Sequence, residues 1–283
     1  MKIGFLGYGE AARAFHDGLG RAVLAYDILL DADDGAMREA MKLRGATPVA
    51  IAGLAEADWV FSAVTADQSL LAVEPLLPHI RQGQVLIDIN SVSPDRKRET
   101  AAAVEAAGAH YLDMAVMAPV HPKKHATPVL IAGRPAAGLL QELINLGFSA
   151  SMIGLEPGAA TAIKMVRSLF VKGLEAITVE TLLAARASGC FDEIYASLSS
   201  SFPGLDWDRF AKYQFERTTR HGRRRAGEMR ESGATLDALG LHGGLAREIA
   251  AVQDAMGAVG PAPDAPLAET VQHVLAGRTG QGG

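Results

Sequence analysis

Residues 3–12 read IGFLGYGEAA, and they decide the fold of the N-terminal half. The apolar run 3–6 predicts a buried parallel strand, and Gly7-x-Gly9-x-x-Ala12 follows it where a helix can begin. This is the G-x-G-x-x-A form of the dinucleotide-binding turn. Gly7 permits the tight turn, Gly9 lets backbone N–H groups approach a pyrophosphate, and Ala12 lets the helix lie close to the strand. The predicted cofactor contacts in this turn come from Gly7, Tyr8, Gly9, Glu10, Ala11 and Ala12.

A second strand, at residues 23–26, leads directly to Asp27. An acid at the end of this strand accepts hydrogen bonds from the adenosine ribose and repels a 2′-phosphate. Asp27 therefore favours NAD as the cofactor. NADP stays open, because Asp31, Asp33 and Asp34 leave the end of the strand undetermined.

The composition sets the class of protein. The chain has 283 residues, which allows one large or two ordinary domains, and its formal net charge of −5 argues against a nucleic-acid partner. Cys190 is the sole cysteine, which excludes an internal disulfide and favours a reducing compartment. No apolar run is long enough to span a membrane. We expect a cytoplasmic protein with no membrane partner and no metal site.

Strands and helices alternate through the first half, which predicts an α/β Rossmann domain with a doubly wound parallel sheet over residues 1–155. Further strands are predicted at residues 57–64, 85–89, 110–113, 129–133 and 150–153, and helices at residues 34–43 and 94–107. Residues 70–80 are predicted to be a helical stretch that Pro75 and Pro78 interrupt. Ligands bind beyond the carboxyl ends of such strands. Val64 and Thr65 lie at one of those ends, so we expect them to line the cofactor cleft.

The second half is predicted to be an all-α domain, residues 156–283, for substrate binding and dimerisation. Residues 159–187 contain one glycine and no proline, which predicts one long helix. Further helices are predicted at residues 191–200, 206–230, 235–239, 243–257 and 265–275. Residues 277–283 are expected to be disordered.

Polar residues share one face of the long helix: Lys164, Arg167, Ser168, Lys172 and Glu175. Such a stripe either faces solvent or lines a cleft. A lysine that faces a cleft beside a dinucleotide-binding domain is a candidate general acid/base, since burial or a neighbouring cation such as Arg167 lowers its pKa.

Three motifs in this order resemble the β-hydroxyacid dehydrogenase family, which includes the 3-hydroxyisobutyrate, tartronate-semialdehyde and 6-phosphogluconate dehydrogenases. Residues 4–9, GFLGYG, are similar to its G-F-I-G-x-G opening, and residues 88–94, DINSVSP, resemble its D-x-S-[ST]-x-x-P stretch. Lys164 lies where the family has its catalytic lysine, in K-x-x-N-N. Residues 221–229, HGRRRAGEM, resemble a subgroup with a phosphogluconate-dehydrogenase-like α-domain. The resemblance implies NAD(P)-dependent hydride transfer on a β-hydroxy acid, with Lys164 as general acid/base, Asn90 and Ser91 at the nicotinamide, and a homodimer.

The chain departs from the family at the substrate loop. Residues 113–119 read DMAVMAP where the family has D-A-P-V-S-G-G, so that Met117 replaces a serine, and Ser168 replaces the asparagine after the lysine. His121 and Lys123 follow in a basic segment that also contains His125. Three interpretations of this segment stay open: an exposed basic turn, a loop that binds an anion, or a pair of metal ligands. The candidate ligands for a small anionic substrate are Ser168, Met117, His121 and Lys123.

Two other functions fit the same residues. An imine or enamine reductase would not need the lost carboxylate-binding serine, although Lys164 favours oxygen chemistry. A non-catalytic NADH-sensing protein would need only the glycine turn.

Overall fold

The computed structural model describes residues 1–32 and 35–280. The chain forms two compact units, Met1–Lys164 and a second that begins at Met165. Asp33, Asp34 and residues 281–283 lie outside the described residues. Among those described, no helix combines the length and the apolar character that a bilayer crossing requires.

The first unit is built on an eight-stranded sheet with the order β3-β2-β1-β4-β5-β6-β7-β8. The strands are β1 (Ile3–Leu6), β2 (Val23–Tyr26), β3 (Ala46–Pro48), β4 (Trp59–Ser62), β5 (Val85–Asp88), β6 (His110–Val116), β7 (Val129–Ala132) and β8 (Ala150–Gly154). The helices of this unit are α1 (Glu10–Leu19), α2 (Gly35–Lys42), α3 (Ser69–Val73), α4 (Pro94–Ala106) and α5 (Ala136–Asn145). The order of the first six strands is that of the doubly wound dinucleotide-binding fold, which confirms the predicted Rossmann architecture.

Two features of the sheet differ from the prediction. No strand was predicted between residues 43 and 57, but β3 pairs with β2 at the edge of the sheet. An edge strand tolerates Pro48, because one side of the strand needs no N–H donor. Strand β7 runs antiparallel to β6, so that the sheet is mixed beyond the sixth strand.

A cluster of aromatic rings fixes α1 on the sheet. Phe5 of β1 stacks on Phe61 of β4 at 5.4 Å, and Phe61 stacks on Phe148 at 5.8 Å. Phe15 of α1 meets Phe61 edge-on at 6.2 Å. Ala12 is fully buried, which allows the close approach of helix and strand that the glycine turn requires. The position of the N-terminus of α1 therefore follows from packing.

The helices after β8 are α6 (Ala159–Ala187), α7 (Phe191–Ser201), α8 (Trp207–Ala238), α9 (Gly244–Val259) and α10 (Leu267–Thr279). The long helix begins and ends where the sequence predicts. Helix α8 is continuous, although a break was predicted between residues 230 and 235. Gly233 packs against the carbonyl of Gly243, so close packing of α8 explains this glycine. Helix α10 includes residues 277–279, which were expected to be disordered.

One predicted helix is broken by proline. Residues 70–80 were predicted as a helical stretch that two prolines interrupt, and α3 does end at Val73, with the 3₁₀ helix Glu74–His79 after it. Pro75 and Pro78 lie in that segment, and a proline within a helix lacks the N–H that the i→i−4 bond needs.

Candidate active site

The glycine turn after β1 leaves an open anion site at the start of α1. Gly7 has φ +84°, and a Cβ there would lie 2.7 Å from the carbonyl oxygen of Ala63, so only glycine fits. Gly9 is the N-cap residue of α1, where no side chain caps the helix, and a Cβ there would meet no atom within 4 Å. The start of α1 therefore has no side-chain cap, and the space that a Cβ at residue 9 would occupy is clear of the described atoms. This geometry fits the pyrophosphate of a dinucleotide.

Asp27 is fixed at the end of β2 beside that turn. One carboxylate oxygen accepts the N–H of Tyr8 at 2.8 Å, and the other accepts the N–H of Leu29 at 3.1 Å. Each oxygen keeps a further lone pair for a second donor. The carboxylate is therefore oriented in advance, as a ribose diol requires.

The ring of Tyr8 lies under the turn and is fully buried. Its hydroxyl lies 2.6 Å from Nδ1 of His16, whose Nε2 lies 3.0 Å from the carbonyl oxygen of Arg21. Because that carbonyl only accepts, Nε2 carries the hydrogen and Tyr8 donates to Nδ1. Burial raises the pKa of Tyr8 to about 12 and lowers the pKa of His16. Tyr8, the one large side chain of the turn, thus supports the turn from within.

Asn90 joins the carboxyl ends of β4 and β5. Its Oδ1 accepts the N–H of Val64 at 2.7 Å, and its Nδ2 donates to Ser62 Oγ at 2.9 Å. Asn90, which was predicted to contact the cofactor, is therefore a buried side chain whose hydrogen bond fixes the backbone of Val64. Thr65 precedes the short helix Ala66–Gln68, and its hydrogen bond with Asp67 is the main cause of the lowered pKa of that carboxyl.

The structure brings Lys164 and Ser91 together. Lys164 lies in the second turn of α6, and its Nζ donates a hydrogen bond to Ser91 Oγ at 2.6 Å. Both side chains are half-buried. Ser91 follows β5 by three residues, at the sheet edge where the glycine turn also lies. The candidate general acid/base thus contacts a residue that the family resemblance assigns to the nicotinamide end of the site.

A buried cluster behind these residues was missed in the sequence. Lys97 of α4 places its Nζ 3.0 Å from Asp88 and 3.4 Å from Asp113, and all three side chains are 0% exposed. Tyr111 donates to Asp88 at 2.7 Å, and its burial raises its pKa well above the usual value. In the sequence, this cluster is indicated by a lysine three residues after the start of the helix at Pro94. Lysines are also common on exposed helix faces, so this position alone does not predict burial.

The rest of the polar stripe on α6 is internal to the second unit. Lys172 pairs with Glu228 at 2.9 Å, while Glu175 pairs with Arg225 and accepts from Gln253 at 2.9 Å. Lys172 and Glu175 therefore neither face solvent nor line a cleft, the two alternatives that the sequence left open, because they form buried contacts with α8 and α9. Two of these partners, Arg225 and Glu228, lie in the segment 221–229. Ser168 is buried in the same unit, and Arg167 is exposed.

The other predicted substrate ligands lie in the loop between β6 and β7. Met117 donates its N–H to the carbonyl of Pro128 at 2.9 Å, and the side chains of His121 and Lys123 are exposed. His125 is docked inward, edge-on to Phe148 at 5.3 Å. Among the described residues no group of three or more His, Cys, Asp or Glu side chains is arranged to hold a metal ion.

Comparisons with known proteins agree with this geometry. A family model described as the NAD binding domain of 6-phosphogluconate dehydrogenase matches residues 2–142, and a domain of unknown function, DUF1932, matches residues 185–256. A conserved hypothetical protein from Sinorhizobium meliloti 1021 is 33% identical over 98% of this chain and 96% of its own, with a TM-score of 0.76.

Two further solved structures are similar in fold. The conserved protein MTH1747, of unknown function, is 28% identical over 90% of this chain and 96% of its own, with a TM-score of 0.71, and its structure is described as similar to 3-hydroxyacid dehydrogenases. The 3-hydroxyisobutyrate dehydrogenase of Mycobacterium tuberculosis is 17% identical over 96% of this chain and 98% of its own, also with a TM-score of 0.71.

The Rossmann sheet, the glycine turn and the matching NAD-binding domain define the class as NAD(P)-dependent oxidoreductases. Within this class, the chain belongs to the β-hydroxyacid dehydrogenase family. Its cofactor is accordingly NAD(P), and the resemblance that the sequence motifs carry is confirmed.

Proposed function

We propose that the protein transfers a hydride between NAD(P) and a small β-hydroxy acid, or a related alcohol or carbonyl compound, with Lys164 as general acid/base. The observation that carries this proposal is the 2.6 Å hydrogen bond from Lys164 Nζ to Ser91 Oγ. It holds at the carboxyl edge of the sheet the lysine to which the family resemblance of the sequence assigns the catalytic role.

The proton chemistry follows from the amine. In the oxidising direction neutral Lys164 removes the hydroxyl proton of the substrate, and in the reducing direction its ammonium group protonates the developing alkoxide. NAD(P) accepts or supplies the hydride. Ser91 accepts a hydrogen bond from Nζ, which orients the amine before a substrate arrives.

Asp27 supports a preference for NAD over NADP. Its carboxylate is held by the N–H groups of Tyr8 and Leu29 and keeps lone pairs for the ribose hydroxyls. A 2′-phosphate would meet this fixed negative charge at close range.

The substrate is small and anionic in this proposal, but its carboxylate site differs from that of the family. Ser168, Met117, His121 and Lys123 remain the candidate ligands. An imine or enamine reductase is the second candidate function, because Met117, Ala118 and Pro119 stand where the family holds a carboxylate with a serine and two glycines.

We also propose that the protein is a homodimer built on α6. Val166, Phe170, Leu174 and Ile177 are spaced by four, four and three residues, which places them along one side of the helix. Phe170 is 69% and Ile177 is 67% exposed. A row of large apolar side chains in contact with water is typical of an interface, and a second copy would bury it with an identical row.

The proposed activity is tested with a panel of β-hydroxy acids, simple alcohols and cyclic imines, assayed by absorbance of the nicotinamide in both directions. Turnover of a hydroxy acid or its carbonyl product supports the proposal. Turnover of imines alone would favour the second candidate. NADH binding without turnover of any compound would favour the non-catalytic alternative.

A further inference from the structure

Two buried carboxylates lie side by side in the first unit. Asp88 and Asp113 are paired positions of the adjacent strands β5 and β6, and both are 0% exposed. Neighbouring carboxylates without water repel one another strongly unless a cation lies close to both. Lys97 Nζ is that cation, at 3.0 Å from one carboxylate and 3.4 Å from the other. We call these three residues the carboxylate–lysine cluster.

The Asp113 side of the cluster holds the start of α6. One oxygen of Asp113 accepts the N–H groups of Gly158 at 3.1 Å and Thr161 at 3.0 Å, and the other accepts the hydroxyl of Thr161 at 2.8 Å. The first N–H groups of a helix have no partner within the helix, and a negative charge is favourable there. A carboxylate from the sheet therefore caps α6 from outside the helix.

The Asp88 side of the cluster holds the segment after β5. Asp88 accepts the N–H of Asn90 at 2.8 Å and the hydroxyl of Tyr111 at 2.7 Å. Lys97 also donates to the carbonyl of Asp88 at 2.7 Å. Ser91 follows Asn90 directly, so this side of the cluster fixes the backbone that presents the Ser91 hydroxyl.

The two sides also touch directly. Gly158, just before α6, has φ +91°, and a Cβ there would lie 2.8 Å from the carbonyl oxygen of Pro94. Pro94 is the first residue of α4, three positions after Ser91. The start of α6 is therefore packed against the segment that carries Ser91.

We propose that the carboxylate–lysine cluster is a positioning device for Lys164. It joins the first turn of α6 to the segment after β5, and Lys164, three residues after Thr161, then meets Ser91. Lys97, Asp113 and Thr161 are positioning residues that act through this hydrogen bond. The catalytic meaning of the device rests on the proposed function, but the hydrogen bond itself is measurable without a substrate.

The test is the reactivity of Lys164 towards acetic anhydride at pH 8, measured peptide by peptide with mass spectrometry. The hydrogen bond to Ser91 engages Nζ in a half-buried position, so its loss frees the amine to react and raises the labelling rate. Ser91→Ala sets the rate for the broken bond. Thr161→Val removes the hydroxyl that Asp113 binds, and Thr161→Ser restores it.

The matched control is Thr178→Val, the same substitution in the same helix, where the hydroxyl donates only to the carbonyl of Leu174. Thermal unfolding of each variant verifies that it folds, and Asp113→Asn is a second variant should Thr161→Val not fold. NADH binding and turnover, measured in parallel, report on the proposed function separately.

We expect Thr161→Val to raise the labelling of Lys164 at least threefold, as Ser91→Ala does, with Thr161→Ser and Thr178→Val at the wild-type rate. A wild-type rate in both Thr161→Val and Asp113→Asn would overturn the positioning role. A wild-type rate in Ser91→Ala would overturn it as well, because the bond to be positioned would then be absent. Faster labelling in a protein without oxidoreductase activity would support the device and reject the proposed function.

Discussion

Lys164 Nζ donates to Ser91 Oγ at 2.6 Å, across 73 positions of sequence. The lysine comes from a helix and the serine from the segment after a strand. Side chains that are already oriented lose less conformational entropy when a substrate arrives. The hydrogen bond therefore describes a site that is built before its ligands bind.

Asp27→Ala should weaken NADH binding about 10- to 150-fold, because hydrogen bonds to a charged group contribute about 1.5–3 kcal/mol. The ratio of the Kd for NADPH to the Kd for NADH should fall at the same time, since the charge that repels a 2′-phosphate is gone. Fluorescence titration with both cofactors measures the two effects.

Asp31→Ala is the control for this prediction, because the sequence left open which acid ends the second strand. Asp31 accepts a hydrogen bond from Tyr26. If Asp31→Ala weakened NADH binding as much as Asp27→Ala does, the assignment of Asp27 to the ribose would not stand.

Stability should fall as the pH is lowered below about 6.5, the usual pKa of histidine. Burial lowers the pKa of His16 in the folded protein, so the unfolded chain binds the proton more readily and acid favours unfolding. This contribution is fully present above the unfolded pKa and is lost as the pH falls towards the folded one.

Urea denaturation of wild type and His16→Gln at pH 7 and pH 5 measures the effect. Glutamine can accept from Tyr8 but does not titrate, so the loss of stability at pH 5 should be smaller in the variant. It should not vanish, because burial lowers the pKa of His125 too. An equal loss in both proteins would exclude His16 as a source.

Phe170→Glu should convert a dimer to a monomer, since it places a charge in the middle of the exposed apolar row on α6. Light scattering after size-exclusion chromatography measures the mass. Leu43→Glu is the matched control, because Leu43 is 75% exposed and lies in the other unit. A dimer that persists in Phe170→Glu, or a wild-type monomer, would contradict the proposed interface.

Local patterns could be predicted from the sequence where one element suffices to define them. The turn at Gly7 and Gly9 needs only the residues that form it, and the helix Ala159–Ala187 has a compositional boundary at each end. The sequence also selected Lys164 and Ser91 separately, although nothing in it stated that they touch.

Long-range features were beyond the sequence. The direction of β7 depends on how the loop after β6 folds, and that loop contains no short turn signal. Lys97 reads as a surface lysine, because its two carboxylate partners come from strands that only the sheet brings together. Lys172 and Glu175 were misjudged for the same reason, since their partners lie on α8 and α9.

The role of Lys164 as general acid/base is tested by the turnover of Lys164→Ala, with the affinity for NADH measured on the same protein. Removing a general acid/base costs about 10²–10⁴-fold in rate, so kcat should fall by that factor while the Kd for NADH stays within twofold. Lys212→Ala, at an exposed lysine of α8, should match wild type in both values. Unchanged kcat in Lys164→Ala would contradict the account.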